Sequence, residues 1–311
     1  MVKKEEFYYD SADKKTKIHA IKWYPENKKI IAIIQISHGM LEFIDRYDEF
    51  AKVLAEKGYL VVGNDHLGHG NSILTEWDMG FFCEEKGNQV VLEDIYKLME
   101  IMKKEHPNVT YLVLGHSMGS FLIRQFITIY SEEVQGAIIV GTGYQPYALV
   151  KAGQLITSLM AIFKGWRYRS KFVNNLAIGN NNKKFEPSRT SCDWLSRDEK
   201  IVDAYVNDQR INFVFTLNAF YNMFKGILYL YKKENLKHMI RDLPILILSG
   251  EEDPVGDFGK AAVKVYDSFK KLGMNKVSMK LYEGARHEVL NEINRNKVYE
   301  DILKWVQNAI Y

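Results

Sequence analysis

Three short stretches of this chain hold the residue types that acyl transfer needs. The first is Gly115-His116-Ser117-Met118-Gly119. It follows a short apolar, β-prone run at 111–114 and precedes a stretch of helical spacing at 121–130. A serine on a strand-to-helix turn is pushed out of the fold at a helix N-terminus. Glycines two before and two after it let the strained turn form without a side-chain clash. The five-residue pattern alone is weak, since composition produces it in about one chain in ten of this length.

A serine hydroxyl is a poor nucleophile at neutral pH. It needs a base, and the base needs an orienting group. In an open parallel sheet such groups sit on loops past the C-terminal strand ends. After the apolar run 245–248 the chain reads Ser249-Gly250-Glu251-Glu252-Asp253-Pro254-Val255. After a final strand candidate at 277–282 it reads Glu283-Gly284-Ala285-Arg286-His287-Glu288. These loops supply Asp253 and His287 as partners for Ser117. Glu251 and Glu252 share the first loop and are alternative acids, but Asp253 ends it before a proline that fixes the turn. Of eight histidines, His287 alone follows a strand end in the required order. His116 adjoins the serine, which places it on the opposite side of the turn. His66 and His69 form a His-x-x-His pair but lack a third ligand at convincing spacing, so no metal is expected. The oxyanion of a tetrahedral intermediate needs two donors. The backbone N–H of Met118 at the helix start is one. The other is the N–H of Met40, where Ser37-His38-Gly39-Met40 turns back after the strand candidate 30–36. Each such donor is worth about 3–4 kcal/mol in the transition state.

The elements that must position these groups alternate. Stretches 7–9 and 17–24 read as an antiparallel edge hairpin around a polar turn at 11–15. Near-continuous apolar runs at 30–36, 59–62, 111–114, 137–140 and 245–248 read as strands buried on both faces. Tyr47, Phe50, Ala51 and Leu54 share one helical face, stopped by Gly58. Val91, Ile95, Leu98 and Met102 share another. Further helices are expected at 257–272 and 295–310. This alternation predicts an α/β fold, a doubly wound, mostly parallel sheet with helices on both faces. From 142 to 229 there is no clear strand, and aromatic residues recur at helical spacing. That segment reads as an inserted helical lid, leaving 1–141 and 230–311 as the core.

Composition fits a globular protein, with 47% hydrophobic and 26% charged residues. A net charge of +3 with interspersed signs gives no argument for nucleic acid. The N-terminus has no apolar h-region, and no apolar run reaches membrane-spanning length. Cys83 and Cys192 are far apart and fit a reducing cytoplasm better than a disulfide scaffold. A packed or half-exposed thiol is the reading for each; nothing supports a catalytic one.

Taken together, Gly115 to Gly119, His38-Gly39, Asp65-His66-Leu67-Gly68-His69-Gly70-Asn71-Ser72, Asp253 and His287 resemble the α/β-hydrolase superfamily. More narrowly they resemble its monoacylglycerol lipase and bacterial lysophospholipase branch, with the motifs in order over the whole core. The segment Asp193-Trp194-Leu195-Ser196-Arg197-Asp198, with Tyr205 and Asp208, is similar to bacterial members. The resemblance implies an eight-stranded, mostly parallel sheet and a structural role for the loop 65–72. Ser120 departs from the family, where many monoacylglycerol lipases carry a third glycine.

The expectation is a serine ester hydrolase without cofactor, acting on a small lipid-like ester such as a monoacylglycerol or lysophospholipid. A general or aryl esterase, a thioesterase or a peptidase is the alternative on the same machinery. The lid's apolar residues either line an acyl pocket or pack the lid onto the core. Its amphipathic stretch 147–163, followed by Lys164, Arg167, Arg169 and Lys171, reads either as a membrane-docking surface or as a solvated face.

Overall fold

The computed structural model describes residues 1–310. Its single sheet has eight strands in the order β1-β2-β4-β3-β5-β6-β7-β8. These are β1 (Val2–Asp10), β2 (Lys17–Pro25), β3 (Ala32–Ser37), β4 (Leu60–Asn64), β5 (Thr110–His116), β6 (Gly136–Val140), β7 (Ile245–Gly250) and β8 (Val277–Tyr282). Strands β1 and β2 join antiparallel, and β3 to β8 run parallel. The doubly wound α/β expectation therefore holds, antiparallel edge hairpin included.

The hairpin extends further than the sequence pattern indicated. All nine residues of β1 pair with β2, from Val2 opposite Pro25 to Asp10 opposite Lys17. Charged residues occupy this edge because most of β1 faces solvent, where period-2 hydrophobicity is not required. In contrast, β3, β4, β6 and β7 are buried throughout. Successive side chains alternate between faces: Ile33, Tyr111 and Val113 join one apolar cluster, and Ile34, Leu112 and Leu114 join the other.

Helices cover both faces. On one side lie α2 (Gly87–Glu105) and α3 (Met118–Ile129), and on the other α1 (Asp48–Glu56). Between β6 and β7 the chain runs through α4 (Tyr147–Lys164), α5 (Lys171–Ala177), α6 (Glu199–Asn207), α7 (Leu217–Tyr229) and the short α8 (Lys233–Leu236). Then α9 (Lys260–Lys271) returns to the first face and α10 (Arg295–Ile310) to the second. The helix expected from 257 starts at Lys260 instead. Asp257, Phe258 and Gly259 all take positive φ (48°, 56° and 84°), and the Phe258 N–H donates to the Asp253 carbonyl at 2.8 Å. That turn wraps the acid loop before the helix begins.

One buried carboxylate ties the hairpin to the helical layer. Asp94 on α2 is 1% exposed and accepts hydrogen bonds from Ser11 Oγ (2.8 Å) and the Ala12 N–H (2.6 Å). Burial pushes its carboxyl up to about 7, against the pull of these donors. A carboxyl raised in the fold binds a proton there that the unfolded chain has released. Its ionisation therefore costs stability as pH climbs from about 4 to about 7. Asp94→Asn should escape this penalty. Its stability relative to the wild type should rise between about pH 4 and about pH 8 by roughly 4 kcal/mol at most, read as a widening gap between the two melting temperatures. A pH-independent difference between the two melting curves would count against this role.

Candidate active site

Strand β5 ends at His116, and Ser117 follows with φ 52° and ψ −117° before α3 begins. The Ser117 N–H donates to the Val140 carbonyl on β6 at 3.0 Å, fixing the turn to the sheet. Flanking glycines are required by close approach. A Cβ on Gly115 would lie 2.3 Å from the Gly119 carbonyl oxygen, and one on Gly119 would lie 1.9 Å from that of Ser37. Ser120 donates from Oγ to the Ser117 carbonyl at 2.5 Å, and the same Oγ lies 2.9 Å from Thr142 Oγ1, whose hydroxyl can donate to it. Its hydroxyl is therefore absorbed by the local backbone.

The loop after β7 brings Asp253 to His287, on the loop after β8. His287 Nδ1 lies 2.9 Å from Asp253 Oδ1, and both residues are buried. Asp253 Oδ1 also accepts from the Val255 N–H at 2.9 Å. Because Nδ1–H donates to the carboxylate, Nε2 is the nitrogen left to accept a proton. Glu251 and Glu252, the alternative acids, are exposed. Trp194 packs its ring 5.1 Å from that of His287, and its carbonyl accepts from the His287 N–H at 3.3 Å.

On the other side lies the turn after β3. His38 Nδ1 donates to the Gly39 carbonyl at 2.7 Å, and its Nε2 accepts from the His66 N–H at 2.9 Å. The second bond fixes the tautomer that makes the first. Burial lowers the His38 pKa, consistent with a neutral ring. In a trans peptide the C=O and the following N–H point opposite ways. Holding the Gly39 carbonyl thus fixes the direction of the Met40 N–H. Met118, as the first residue of α3, carries one of the amides that helix geometry leaves without an intrahelical acceptor.

Ser117, His287, Met40 and Met118 all line one cavity of about 640 Å³. Phe121 from α3, Leu149, Val150 and Ile156 from α4, and Met223, Phe224 and Ile227 from α7 contribute apolar wall. Asn174, Asn182, Ser191 and Cys192 add polar groups on another side.

A sequence profile of the serine aminopeptidase S33 family (Hydrolase_4) matches residues 28–294. The chain belongs to this family. It is similar to monoglyceride lipase of Rattus norvegicus, 27% identical over 90% of this chain and 83% of that one. The monoacylglycerol lipase of Mycolicibacterium smegmatis is 24% identical over 91% and 90%. Among solved structures, a highly thermostable carboxyl esterase from Bacillus coagulans in complex with glycerol superposes with a TM-score of 0.91, at 25% identity over 99% of both chains. The S33 chain is thus a serine hydrolase of the α/β-hydrolase superfamily.

Other candidate residues of this S33 hydrolase have structural partners. Asp65 accepts from the Ile44 N–H (2.8 Å), the Asn71 N–H (2.8 Å) and His19 Nδ1 (2.8 Å), so the loop 65–72 braces the turn beyond Met40. The rings of His66 and His69 sit against His38 at 4.2 and 5.1 Å, and burial pushes His69 down to about 3. Among the described residues no cluster of His, Cys, Asp or Glu has metal-holding geometry, and no helix is long and apolar enough to cross a membrane. Cys83 is buried, and Cys192 is half-buried.

One expectation needs correction. His116 does not turn away from the site: it lines the cavity beside His287, at 4.9 Å between ring centroids. Arg167 and Arg169 are not free basic groups. Arg167 pairs with Asp78 and Glu84 and lies 3.8 Å over the Phe81 ring, and Arg169 donates to the Trp77 and Met79 carbonyls. Sequence reasoning gave no role to Glu42, Arg46 or Glu288, and it placed Trp194 only in a segment similar to bacterial members, without the contact with His287.

Proposed function

We propose that this S33 hydrolase cleaves single-acyl-chain lipid esters, of the monoacylglycerol or lysophospholipid kind, through an acyl-enzyme. The observation that carries the reading is that His287, hydrogen-bonded to the buried Asp253, and Ser117 on its strained turn line one largely apolar cavity. Ser117 attacks the ester carbonyl, and His287 Nε2 takes its proton and passes it to the leaving alcohol. Asp253 holds the imidazole and stabilises its cation. The amides of Met40 and Met118 bind the oxyanion. Water, deprotonated by His287, then releases the fatty acid and frees Ser117.

Residues 142–229 act as the cap whose helices build the acyl wall. Lipase relatives and a structural neighbour bound to glycerol agree with a small alcohol leaving group. Part of the cap faces outward: Leu155, Leu159, Ile162 and Phe163 on α4 and Phe172 on α5 are each more than half exposed. With Arg167 and Arg169 occupied, contact with a lipid surface rests on this apolar face together with the exposed Lys164 and Lys171 beside it. An aminopeptidase would need an anionic group for the substrate ammonium. The acids lining the cavity, Glu42 and Glu288, are both paired already with Arg46.

The test is a p-nitrophenyl ester series from acetate to palmitate, followed by glycerol monoesters against lysophospholipids. We expect kcat/KM to rise about 10-fold or more from acetate to medium or long chains, since each buried methylene contributes about 0.8 kcal/mol. Rates on the glycerol monoester should jump above its critical micelle concentration. A sharp preference for acetate or butyrate would overturn the lipid-ester reading in favour of a general esterase.

A further inference from the structure

We infer that Glu42 is a positioning residue for the reaction: its buried carboxylate holds the oxyanion turn and, through His116, the loop that carries the base. The inference rests on the assignment of Ser117, His287 and Met40 above.

Glu42 lies on the turn after β3 and is 4% exposed. Its Oε1 accepts from the Gly39 N–H, from Tyr47 Oη (2.9 Å) and from His116 Nδ1 (2.9 Å). The closeness to Gly39 leaves no room for a side chain there, since a Cβ would lie 2.5 Å from Oε1. Glu42 thus grips the peptide before Met40, and His38 grips the one that carries its N–H. The same carboxylate reaches the base loop by two routes. His116 Nε2 lies 3.4 Å from the His287 carbonyl oxygen. Arg46 donates to Glu42 Oε2 at 2.9 Å and makes a two-pronged contact with Glu288, both arms at 2.7 Å, on the residue next to His287.

The protonation state follows from the partners. His116 has an acceptor at each ring nitrogen, which only the doubly protonated ring satisfies. Two carboxylates (Glu42, Glu288) then balance two cations (Arg46, His116), and buried charges persist only when so paired. Burial opposes the His116 charge, but the Glu42 carboxylate outweighs it and raises the His116 pKa. Burial likewise opposes ionised Glu42, and His116 and Arg46 outweigh it and hold it well below the usual carboxylate range. The titratable or charged groups around His116 are Glu42 and His38 from the β3 turn, Arg46 beyond Glu42, and His287 and Glu288 from the base loop. When His116 loses its proton it can donate to only one acceptor, and the base loop or the oxyanion turn loses its hold. Activity should therefore fall on the alkaline side as His116 titrates.

The experiment compares wild type, Glu42→Gln and His116→Gln on a glycerol monoester, with fluorophosphonate titration of active serine and a full pH profile of kcat. Glu42→Gln should lower kcat per titrated serine about 10- to 100-fold, the cost of misplaced catalytic groups, with KM changed less than about 3-fold. Its alkaline limb should move to lower pH, because His116 has lost its counter-charge. His116→Gln should lack that limb, and it carries the test alone if Glu42→Gln does not fold. A purely structural role would lower the titrated fraction and leave the limb in place. An unchanged limb in Glu42→Gln, or a limb persisting in His116→Gln, overturns the inference. Failure of wild type to label at Ser117 would instead overturn the catalytic assignment.

Discussion

Ser117→Ala should lose at least about 10⁴-fold in turnover and all labelling by a fluorophosphonate, while its melting temperature stays within about 3 °C of wild type. The substitution removes one oxygen atom. The turn survives because other groups build it: the Ser117 N–H on Val140, and the close passages at Gly115 and Gly119. The positive φ of 52° is a strain the serine already bears, and alanine bears it no worse. What disappears is the atom that the proposed mechanism acylates. The apolar cavity and the Met40 and Met118 amides proposed for the oxyanion stay in place, so the expected residual rate is that of solvent water in a polarising site. Intact-protein mass spectrometry after labelling, single-turnover kinetics and a thermal melt together make the measurement. A folded variant with wild-type turnover would remove Ser117 from the mechanism.

The parts of this architecture that depend on local pattern were legible before the fold was known. Strands buried on both faces must be apolar at every position, so β3, β4 and β7 announced themselves. Asp253 stood out from Glu251 and Glu252 by the proline after it, and the fold buries Asp253 while leaving both glutamates exposed. The start of α9 was misplaced because three residues of positive φ precede it. Only Gly259 among them is a recognisable signal, and Asp257 and Phe258 adopt φ of 48° and 56° with their N–H groups on the Pro254 and Asp253 carbonyls. The Glu42, Arg46, His116 and Glu288 cluster left no trace in the pattern. Its members come from the turn after β3, the last residue of β5 and the loop after β8, and Arg46 meets Glu288 across 242 residues of sequence. Charged side chains at such spacing read as solvated until the sheet order places β3, β5 and the β8 loop together. The basic run after α4 kept two readings open for the complementary reason. Sequence displays the charges of Arg167 and Arg169 but not Asp78, Glu84 and the carbonyls that occupy them.

Gly119→Ala should be the most damaging single methyl in the site. The added carbon would sit 1.9 Å from the Ser37 carbonyl oxygen and 2.6 Å from that of His38. Both are backbone atoms, so no side-chain rotation relieves the overlap. Strand β3 cannot retreat, because it is hydrogen-bonded to β4 on one side and β5 on the other, with Ser37 paired to both. Helix α3 must move instead, and its first residue is Met118. The turn beyond Ser37 leads to Met40, so the displacement separates the two amides assigned to the oxyanion. Overpacking of this kind costs about 3 kcal/mol, which in a chain of this size lowers the melting temperature by roughly 5 °C. Turnover should fall by at least about 100-fold, because an oxyanion donor contributes only at hydrogen-bonding distance. KM should change far less, since the apolar cavity wall on α4 and α7 does not depend on this contact. Loss of stability without loss of kcat would mean that the Ser37–Gly119 approach serves packing alone, and that the oxyanion amides are held by His38 and Glu42 independently of α3.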